Sequence, residues 1–359
     1  MSCFAIADIG NLKRNFLLKR FKTLDELRPY LQLPTINTGR TVTPLGPSGP
    51  VMTDMEQLTA MTDENGFIIF QSGLELAPFA YRGQTEDWPC VPTLARKEKI
   101  EDRLLAACQN IAFQDILSEH PYVVITKNST FTERLLYVDV SGLAQHYGLA
   151  TDMLDLTLNF DVASFFATCR WNDESRSFIP INKAKKLGVV YRVMFPLLVD
   201  QIPKRATTVG WQPLPRPEQQ RAVGILMRAQ DDFAKWPQVQ MIRFRQSKEV
   251  SLRIFNLFDK GEILFPPDVA ADMADEAKKL KYFTPTQIER AWKALEIFDP
   301  LTPSGMEQRQ SIEKSAEIYT CHELKLSWDS YNIEKDHDKL MAQLQSELSE
   351  VKYRRACYL

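Results

Sequence analysis

The stretch of residues 143–157 combines a helix signal, a helix stop and a group of polar side chains, so any fold of this chain has to accommodate it. Its sequence is LAQHYGLATDMLDLT, and it contains one of only four histidines. Apolar residues recur at the i, i+3, i+4 and i+7 positions of a short amphipathic helix, namely Val140, Leu143, Ala144 and Tyr147. Gly148 predicts the end of this helix, because glycine tolerates the left-handed backbone that is common there. Gln145 and His146 then lie off the buried face, where they can line a cleft.

Short apolar runs alternate with amphipathic helical patterns along the rest of the chain. Strand-like runs occur at 66–70, 76–81, 122–126, 187–195, 241–244 and 250–255. Helical spacing of apolar residues occurs just after Thr23 and at 97–118, 162–169, 266–280 and 284–298. These patterns predict an α+β fold in which helices flank a mixed sheet, with a helical tail at the C-terminus.

Composition along the chain suggests three regions. Residues 1–59 are predicted to form an N-terminal extension, whose prolines and glycines at 34–50 indicate either an ordinary surface loop or a flap. Residues 60–281 are predicted to form the α+β domain, and residues 282–359 a helical C-terminal region.

The C-terminal region contains a possible pairing surface at 333–351. The residues spaced four, three, four and three apart are His337, Met341, Leu344, Leu348 and Val351. This is the spacing of a coiled-coil seam, which would allow self-association or a protein partner, but two heptads are too few to establish pairing. Packing of this helix on the body of the protein is the favoured interpretation.

Overall composition excludes several classes of protein. Apolar residues make up 44% and charged residues 25%, and the net charge is −2, so no global field attracts nucleic acid or an anionic membrane. The six cysteines are scattered and form no Cys-x-x-Cys pair, which predicts buried thiols and no metal site. We find no signal sequence and no apolar run of membrane-spanning length, so we expect a protein of the reducing cytoplasm without a membrane partner.

A second polar motif, Tyr-Arg-Gly-Gln at 81–84, follows the predicted strand 76–81. Arg82 offers a planar fork of donors that suits a phosphate or a carboxylate. Gly83 would let a ligand or another backbone come close. Alternatively, Arg82 pairs with a carboxylate that only serves the fold.

These motifs, taken together, resemble the FRG domain of bacterial and phage-associated proteins, named after its (Phe/Tyr)-Arg-Gly motif. The most specific part is Ala-Gln-His-Tyr-Gly-Leu-x-Thr-x-x-Leu-Asp-x-Thr at 144–157. Further similar segments are Pro-Thr-Leu-x-Arg at 92–96, Ala-x-Phe-Phe-Ala at 163–167, Gln-Gln-Arg at 219–221 and Leu-Phe-Pro-x-Asp at 264–268. The resemblance therefore covers roughly residues 60–281.

The chain also departs from the family pattern. Where the family usually has Pro, Arg and Trp, this chain has Ala150, Asp152 and Leu156. The change to Asp152 reverses a charge beside the expected site. The family has little settled biochemistry, but its occurrence in mobile-element and phage-defence settings implies an effector or regulatory role, such as a toxin.

The first functional hypothesis is an enzyme similar to an ADP-ribosyltransferase, or one that cleaves NAD as its substrate. Some ADP-ribosyltransferases hold dinucleotide phosphates with a strand-borne Arg, brace the site with a Ser/Thr turn and stabilise the ribosyl cation with a late Glu. Here Arg82 would bind phosphate, His146 a ribose or phosphate, and Tyr147 would stack on nicotinamide if it is exposed. The carboxylate would come from Asp155 or Glu218, with Glu249 as a further candidate.

The sequence thus predicts two sets of site residues. The candidate catalytic residues are His146, Asp155 and Glu218. The candidate nucleotide-binding residues are Arg82, Gly83, Gln84, Gln145, Tyr147, Thr151, Thr157 and Arg221.

Two other functions remain open at this stage. The first is a non-catalytic module that binds a nucleotide or nucleic acid, for which Arg243, Arg245 and Lys248 around Phe244 form a local basic cluster, unless they are an ordinary solvated face. The second is a nuclease or hydrolase that uses His146 and Asp155. Each polar residue of 145–157 could also serve the fold alone, for example by capping a helix.

Overall fold

A computed structural model of the 359-residue chain describes residues 22–31, 43–44, 50–51, 58–62, 65–72, 79–181, 187–202 and 205–349. Most of the predicted loop at 34–50 and the seam residue Val351 lie outside the described residues.

The helices follow the chain from end to end. They are α1 Leu24–Leu31, α2 Ile100–Ser118, α3 Pro121–Lys127, α4 Val140–His146, α5 Phe160–Thr168, α6 Phe195–Gln201, α7 Arg216–Gln219, α8 Lys248–Leu257, α9 Val269–Ala277, α10 Pro285–Phe298, α11 Met306–Ser315 and α12 His337–Ser349.

The strands are mostly short. They are β1 Thr43–Pro44, β2 Pro50–Val51, β3 Leu58–Thr62, β4 Ile68–Ser72, β5 Phe79–Gln84, β6 Thr130–Phe131, β7 Arg134–Leu135, β8 Met153–Thr157, β9 Cys169–Asn172, β10 Ser177–Pro180, β11 Leu187–Met194, β12 Ala206–Thr208, β13 Ala222–Leu226, β14 Gln240–Arg245, β15 Tyr282–Phe283 and β16 Tyr319–Thr320.

A six-stranded sheet with the order β12-β13-β8-β5-β11-β14 forms the centre of the fold. Its neighbouring strands are antiparallel, whereas β15 and β16 form a separate parallel pair. Helices flank this sheet and make up most of the C-terminal region, so the predicted α+β class is confirmed.

The sheet is narrowly joined at its middle. Strand β5 pairs with β11 from Phe79 to Gln84, and β8 pairs with β13 from Met153 to Thr157. Between β5 and β8, however, the only registered pair is Tyr81–Thr157. The two halves of the sheet therefore meet at one point, and beyond it their facing edges are free to line an opening.

Helix α5 packs against the middle of the sheet. The Asn159 side chain caps it by accepting from the backbone N–H groups of Asp161 and Val162, at 2.7 and 3.3 Å. A Cβ atom at Gly83 would lie only 1.9 Å from the Ala163 carbonyl oxygen. Gly83 thus permits the close approach of α5 to β5, and the expectation that it admits a ligand is corrected.

The C-terminal region packs on the rest of the chain. Helix α10 buries Ile288, Ala291, Trp292 and Leu295 together with residues of α2. Leu340 and Leu344 of α12 are 4% and 1% exposed, and they pack with Tyr122 and Ile125 of α3. The leucines of the predicted seam are therefore buried within the chain itself, which agrees with the favoured interpretation.

Two predicted strands are wrong. Residues 122–126 belong to α3, where His120 caps the helix by accepting from the Tyr122 N–H and Pro121 occupies the first turn. Residues 250–255 belong to α8, where the Ser247 side chain accepts from the Val250 N–H. In both segments β-branched residues suggested a strand, but capping and burial of one helical face decide the structure.

A third prediction is misplaced by a few residues. Strand β5 continues through Gln84, so Arg82 lies inside the strand and not after its end. Among the residues that the structure describes, no helix is both long and apolar enough to cross a membrane.

Candidate functional site

A cavity of about 930 Å³ lies where strands β5 and β8 separate. Its wall includes residues of both strands, the end of α4, the loop after β5 and the start of β9. This volume is within the range of about 300–1,000 Å³ that is typical of small-molecule and cofactor sites.

Arg82 links the two halves of the sheet at the base of this cavity. Its Nη1 atom donates to the backbone carbonyl oxygen of Asp155 at 2.7 Å. The guanidinium thus crosses from β5 to β8 just beyond the Tyr81–Thr157 pair, where ladder hydrogen bonds end. A cationic group is therefore held between the strands by the backbone itself and does not need a structural carboxylate.

The Asp155 carboxylate is held from the other side by α4. Gln145 Nε2 donates to Asp155 Oδ2 at 2.7 Å, and the Thr151 hydroxyl donates to Gln145 Oε1. Asp155 Oδ1 is buried and has no hydrogen-bond partner within the described part of the chain. One carboxylate oxygen is therefore fixed, while the other is available to a ligand in the cavity.

His146 is oriented by a residue from much later in the chain. Its Nδ1 atom lies 2.9 Å from Gln220 Oε1, and Gln220 Nε2 donates to the Leu264 carbonyl oxygen at 3.0 Å. The Thr157 hydroxyl donates to the Gln220 carbonyl oxygen at 2.7 Å, which fixes the backbone of that residue against β8. His146 and Gln220 both line the cavity.

Positive charge slightly exceeds negative charge around the cavity. The charged lining residues are three arginines, Arg82, Arg96 and Arg170, and two acids, Glu98 and Asp155, so three minus two leaves +1. Partial desolvation and the neighbouring Arg82 lower the pKa of Arg96, while Asp155 acts in the opposite direction. This electrostatic coupling means that Arg82, Arg96 and Asp155 form one charged group.

Two tryptophans lie at the mouth of the cavity. Trp88 and Trp171 line it, and each is 50% exposed. The Trp171 ring packs edge-on against Phe178 at 5.2 Å, which steadies it on the β9–β10 hairpin. An indole face that remains open to solvent can stack on a flat ligand ring.

The cysteines near the site are protected thiols. Burial raises the pKa of Cys90, which neighbours Arg82, to about 11. Burial also raises the pKa of Cys169, a lining residue, to about 12. Both are protonated at neutral pH, so neither is a thiolate nucleophile.

Most of the residues predicted from the sequence lie together. Those that line the cavity are Arg82, Gly83, Gln84, Gln145, His146, Asp155 and Thr157. Thr151 stands behind the wall, where its hydroxyl contacts Gln145.

Tyr147, in contrast, does not face the cavity. It is 1% exposed, and its hydroxyl donates to Asp268 Oδ2 at 2.6 Å. The Arg216 guanidinium covers its ring at 4.5 Å. Stacking of this ring on nicotinamide is therefore ruled out by packing, because Tyr147 connects α4 to α7 and α9 in the core.

The alternative carboxylates and Arg221 also lie elsewhere. Glu218 belongs to α7 outside the lining, and burial raises the pKa of its carboxyl. Glu249 is exposed in the first turn of α8 and bonds to Ser247. Arg221 adopts a positive φ of 49° beside the site but does not line it. Asp155 is thus the one of the three proposed carboxylates that reaches the cavity.

Sequence reasoning missed Arg96, Gln220 and the two tryptophans. Arg96 was visible at the end of the Pro-Thr-Leu-x-Arg segment, and Gln220 stood beside the chosen Arg221. Asp152, whose change of charge suggested an altered site, does not line the cavity, and burial raises the pKa of its carboxyl.

The described residues contain no group of three or more His, Cys, Asp or Glu side chains at metal-binding spacing. The basic cluster on β14 is also apart from the cavity: Arg243 pairs with Asp87 at 2.6 Å, and Phe244 is buried beneath it.

Comparison with known proteins identifies one part of this fold. Neither the curated proteins nor the solved structures include a match to the chain. A family model described as the FRG domain matches residues 77–176, which supply Arg82, Arg96, Gln145, His146 and Asp155 of the cavity. The protein therefore carries an FRG domain, and the cavity is built around it.

Proposed function

We propose that this protein binds a nucleotide in the cavity and acts as an ADP-ribosyltransferase-like enzyme that cleaves NAD⁺. The observation that carries the proposal is the meeting of Arg82, His146 and Asp155, distant in sequence, at one cavity. Buried polar atoms there, including His146 Nε2 and Asp155 Oδ1, have no hydrogen-bond partner among the described residues, and such atoms favour a polar ligand.

The diphosphate of the nucleotide would lie against Arg82 and Arg96. Guanidinium groups bind phosphate oxygens through paired hydrogen bonds, and two neighbouring guanidiniums suit two linked phosphates. The excess of positive charge in the lining supports an anionic ligand.

The flat rings of the dinucleotide would stack on the open indole faces of Trp88 and Trp171. This assignment replaces Tyr147, which is buried, as the aromatic partner. Base–aromatic stacking contributes about 1–3 kcal/mol per base, so these side chains would add substantially to affinity.

Asp155 would stabilise the reacting ribose. In NAD⁺ the bond between ribose C1′ and the nicotinamide nitrogen breaks, and its electron pair stays on nicotinamide, which leaves as a neutral molecule. The ribosyl group then carries developing positive charge, which the free Asp155 oxygen can stabilise. Water or an acceptor side chain attacks C1′ and loses a proton, giving ADP-ribose or an ADP-ribosylated acceptor.

In a cell, such an activity would suit an effector in phage defence or a toxin system, as FRG domains occur in those settings. The buried free thiols of Cys90, Cys108 and Cys169 support a reducing compartment, so we propose a cytoplasmic site of action.

The test is nicotinamide release from NAD⁺ by the purified full-length chain, with protein, DNA and RNA supplied as acceptors. We expect release by the native protein and a loss of about 100-fold or more in Asp155→Asn, by analogy with removal of one charge-stabilising group. Asp275→Asn is the matched control, because Asp275 is on the surface and pairs with Arg176 and Lys278. No release under conditions in which a control transferase works would reject the enzymatic proposal.

A non-catalytic nucleotide-binding module is the second candidate. It is favoured by one observation: Glu98, the only lining carboxylate besides Asp155 in the described chain, is exposed, so no second buried acid assists the reaction. Binding of ADP-ribose that depends on Arg82, without nicotinamide release from NAD⁺, would identify this function.

A further inference from the structure

The hydrogen bonds around Gln220 fix which nitrogen of His146 carries the proton. The Leu264 carbonyl oxygen can only accept, so the group of Gln220 that faces it at 3.0 Å must be the NH₂ group. The other terminal atom of Gln220, which lies 2.9 Å from His146 Nδ1, must then be the amide oxygen. That oxygen can only accept, and therefore His146 Nδ1 must donate.

We infer that His146 is held as the Nδ1–H tautomer, so that Nε2 presents a lone pair to the cavity and accepts a hydrogen bond from a hydroxyl group of the ligand. In neutral imidazole, one nitrogen donates and the other accepts. Gln220 is thus a positioning residue for His146, and it fixes both the ring orientation and the direction of its hydrogen bond.

Burial makes this acceptor selective. His146 is 6% exposed, and its Nε2 atom is buried without a partner in the part of the chain that the structure describes. A ligand that donates to Nε2 satisfies this atom, whereas a ligand with only acceptor oxygens at that point leaves it unsatisfied or repels it. Phosphate oxygens are such acceptors, so this side of the cavity suits a sugar hydroxyl.

The same wall therefore separates two parts of the ligand. Arg82 and Arg96 are donors and favour phosphate, while His146 Nε2 is an acceptor and favours a hydroxyl. This inference rests on the proposed function for the identity of the ligand as a ribose-containing nucleotide. The tautomer itself rests only on hydrogen-bond geometry.

The assignment extends the site beyond the residues that match the family model. Gln220 and Leu264 both follow residue 176, where the match ends. The part of the chain that follows the matched residues thus sets the chemical state of a histidine inside them.

Nitrogen-15 NMR of the uniformly labelled full-length protein tests the tautomer directly. The chain has four histidines, and the signals that disappear in His146→Gln assign His146. At a pH at which His146 is neutral, we expect a protonated Nδ1 and an unprotonated Nε2. A protonated Nε2 with a bare Nδ1 would overturn the inference.

The role of Gln220 is tested with Gln220→Met, which removes both polar atoms at similar volume. We expect both tautomers to appear for His146 in this variant, with unchanged signals for His120 as a check of folding. Gln287→Met is the control, because Gln287 is also buried but contacts Asp115 in the C-terminal region. A single Nδ1–H tautomer that persists in Gln220→Met would show that Gln220 does not select it.

Titration separates this inference from the proposed function. ADP-ribose should shift the Nε2 signal as it donates a hydroxyl, whereas inorganic pyrophosphate, which lacks one, should bind without that shift. Gln220→Met should weaken ADP-ribose binding about tenfold, as expected for one lost hydrogen bond, and leave pyrophosphate binding unchanged. If ADP-ribose binds without shifting Nε2, the hydroxyl assignment is wrong while nucleotide binding stands. If neither compound binds, the proposed function and the ligand assignment both fall, and the tautomer remains a separate result.

Discussion

Gln145 Nε2 donates to Asp155 Oδ2 over 2.7 Å and so connects the last turn of α4 to the central strand β8. The orientation of this amide is not arbitrary, because its oxygen accepts from the Thr151 hydroxyl. That hydroxyl in turn accepts from the Met153 N–H at 3.1 Å. A chain of hydrogen bonds therefore sets the direction in which the Asp155 carboxylate faces the cavity.

Gln145→Leu should disorient Asp155 with little change in volume. Oδ2 loses its donor, so we expect stability to fall by about 1–3 kcal/mol and any NAD⁺ cleavage to fall with it. Thr151→Val should have a smaller effect in the same direction, and Thr151→Ser, which keeps the hydroxyl, should behave like the native protein. Urea denaturation and nicotinamide release measure the two effects. Equal behaviour of the Val and Ser variants would contradict this hydrogen-bond chain.

Arg96→Ala should weaken nucleotide binding without unfolding the protein. Arg96 is exposed, so the free energy of unfolding should change by no more than about 0.5 kcal/mol. Binding of ADP-ribose should fall about tenfold or more and become less sensitive to salt, because one phosphate-binding charge is lost. Calorimetric titration at two salt concentrations checks this, with Arg243→Ala as the control, since Arg243 lies outside the cavity and pairs with Asp87. An equal loss in both variants would indicate a general charge effect.

Gly83→Ala should be strongly destabilising. The new Cβ atom would lie 1.9 Å from the Ala163 carbonyl oxygen and 2.6 Å from the Ala167 nitrogen, so α5 would have to move away from β5. We expect a loss of about 3 kcal/mol or more, at the upper end of overpacking effects. At Gly305 the nearest atom to a new Cβ is the Gln308 side-chain oxygen at 3.7 Å, so Gly305→Ala should cost little. Thermal unfolding of both variants measures the difference, and a stable Gly83→Ala protein would refute the packing role.

His120 should make the fold sensitive to acid. Burial lowers its pKa from 6.5 to about 4, so between these values the unfolded chain binds a proton that the native state excludes. Its contribution is complete above about pH 6.5 and is lost as the pH falls toward 4, by up to about 1.4 kcal/mol per pH unit.

His120→Asn isolates this effect. Asparagine keeps a cap acceptor for the Tyr122 N–H but does not titrate. It also loses the contact of the His120 ring with Trp328, so it should be less stable than the native protein at pH 7.5. The difference should shrink as the pH is lowered to 4, because other titrating groups are the same in both proteins. Denaturation curves at several pH values measure it, and a constant difference would disprove the prediction.

Leu344→Ala distinguishes internal packing of α12 from self-association. Leu344 is 1% exposed among residues of β4 and α3, so its truncation should cost about 2–5 kcal/mol. The native mass measured by ultracentrifugation should be the same for both proteins. If the variant instead dissociates a native dimer at unchanged stability of the subunit, α12 is a pairing surface.

Local patterns were sufficient to predict the helices that bury one face. Helices α2, α4 and α10 follow from the spacing of their apolar residues, and Gly148 ends α4 with a φ of 79°. The capping box predicted at Thr284 is present, with Gln287 bonded back to it. These features depend on residues a few positions apart, so they are legible in one sequence.

Helices α3 and α8 could not be recognised by the same means. Their β-branched residues are common in strands, and what makes them helical is burial against partners distant in the chain. Tyr122 and Ile125, for example, pack beneath Leu340 and Leu344 of α12. No local pattern specifies such a partner.

The site shows the same division. The family motif was enough to select Arg82, His146 and Asp155, but Gln220 becomes important only because β13 pairs with β8 and brings it to His146. Tyr147 follows His146 directly, yet it points to Asp268 on the other side of α4. Neighbours in sequence were therefore a poor guide to which side chains share the cavity.

The outer edges of β5 and β8 are covered by β11 and β13, both of which begin after residue 176. A fragment trimmed to residues 77–176 would expose two bare strand edges, and such edges recruit other polypeptides into aggregates. The conserved-looking portion is thus not an autonomous module, and any transplant or truncation must run at least to Leu264 to keep the cavity chemically intact.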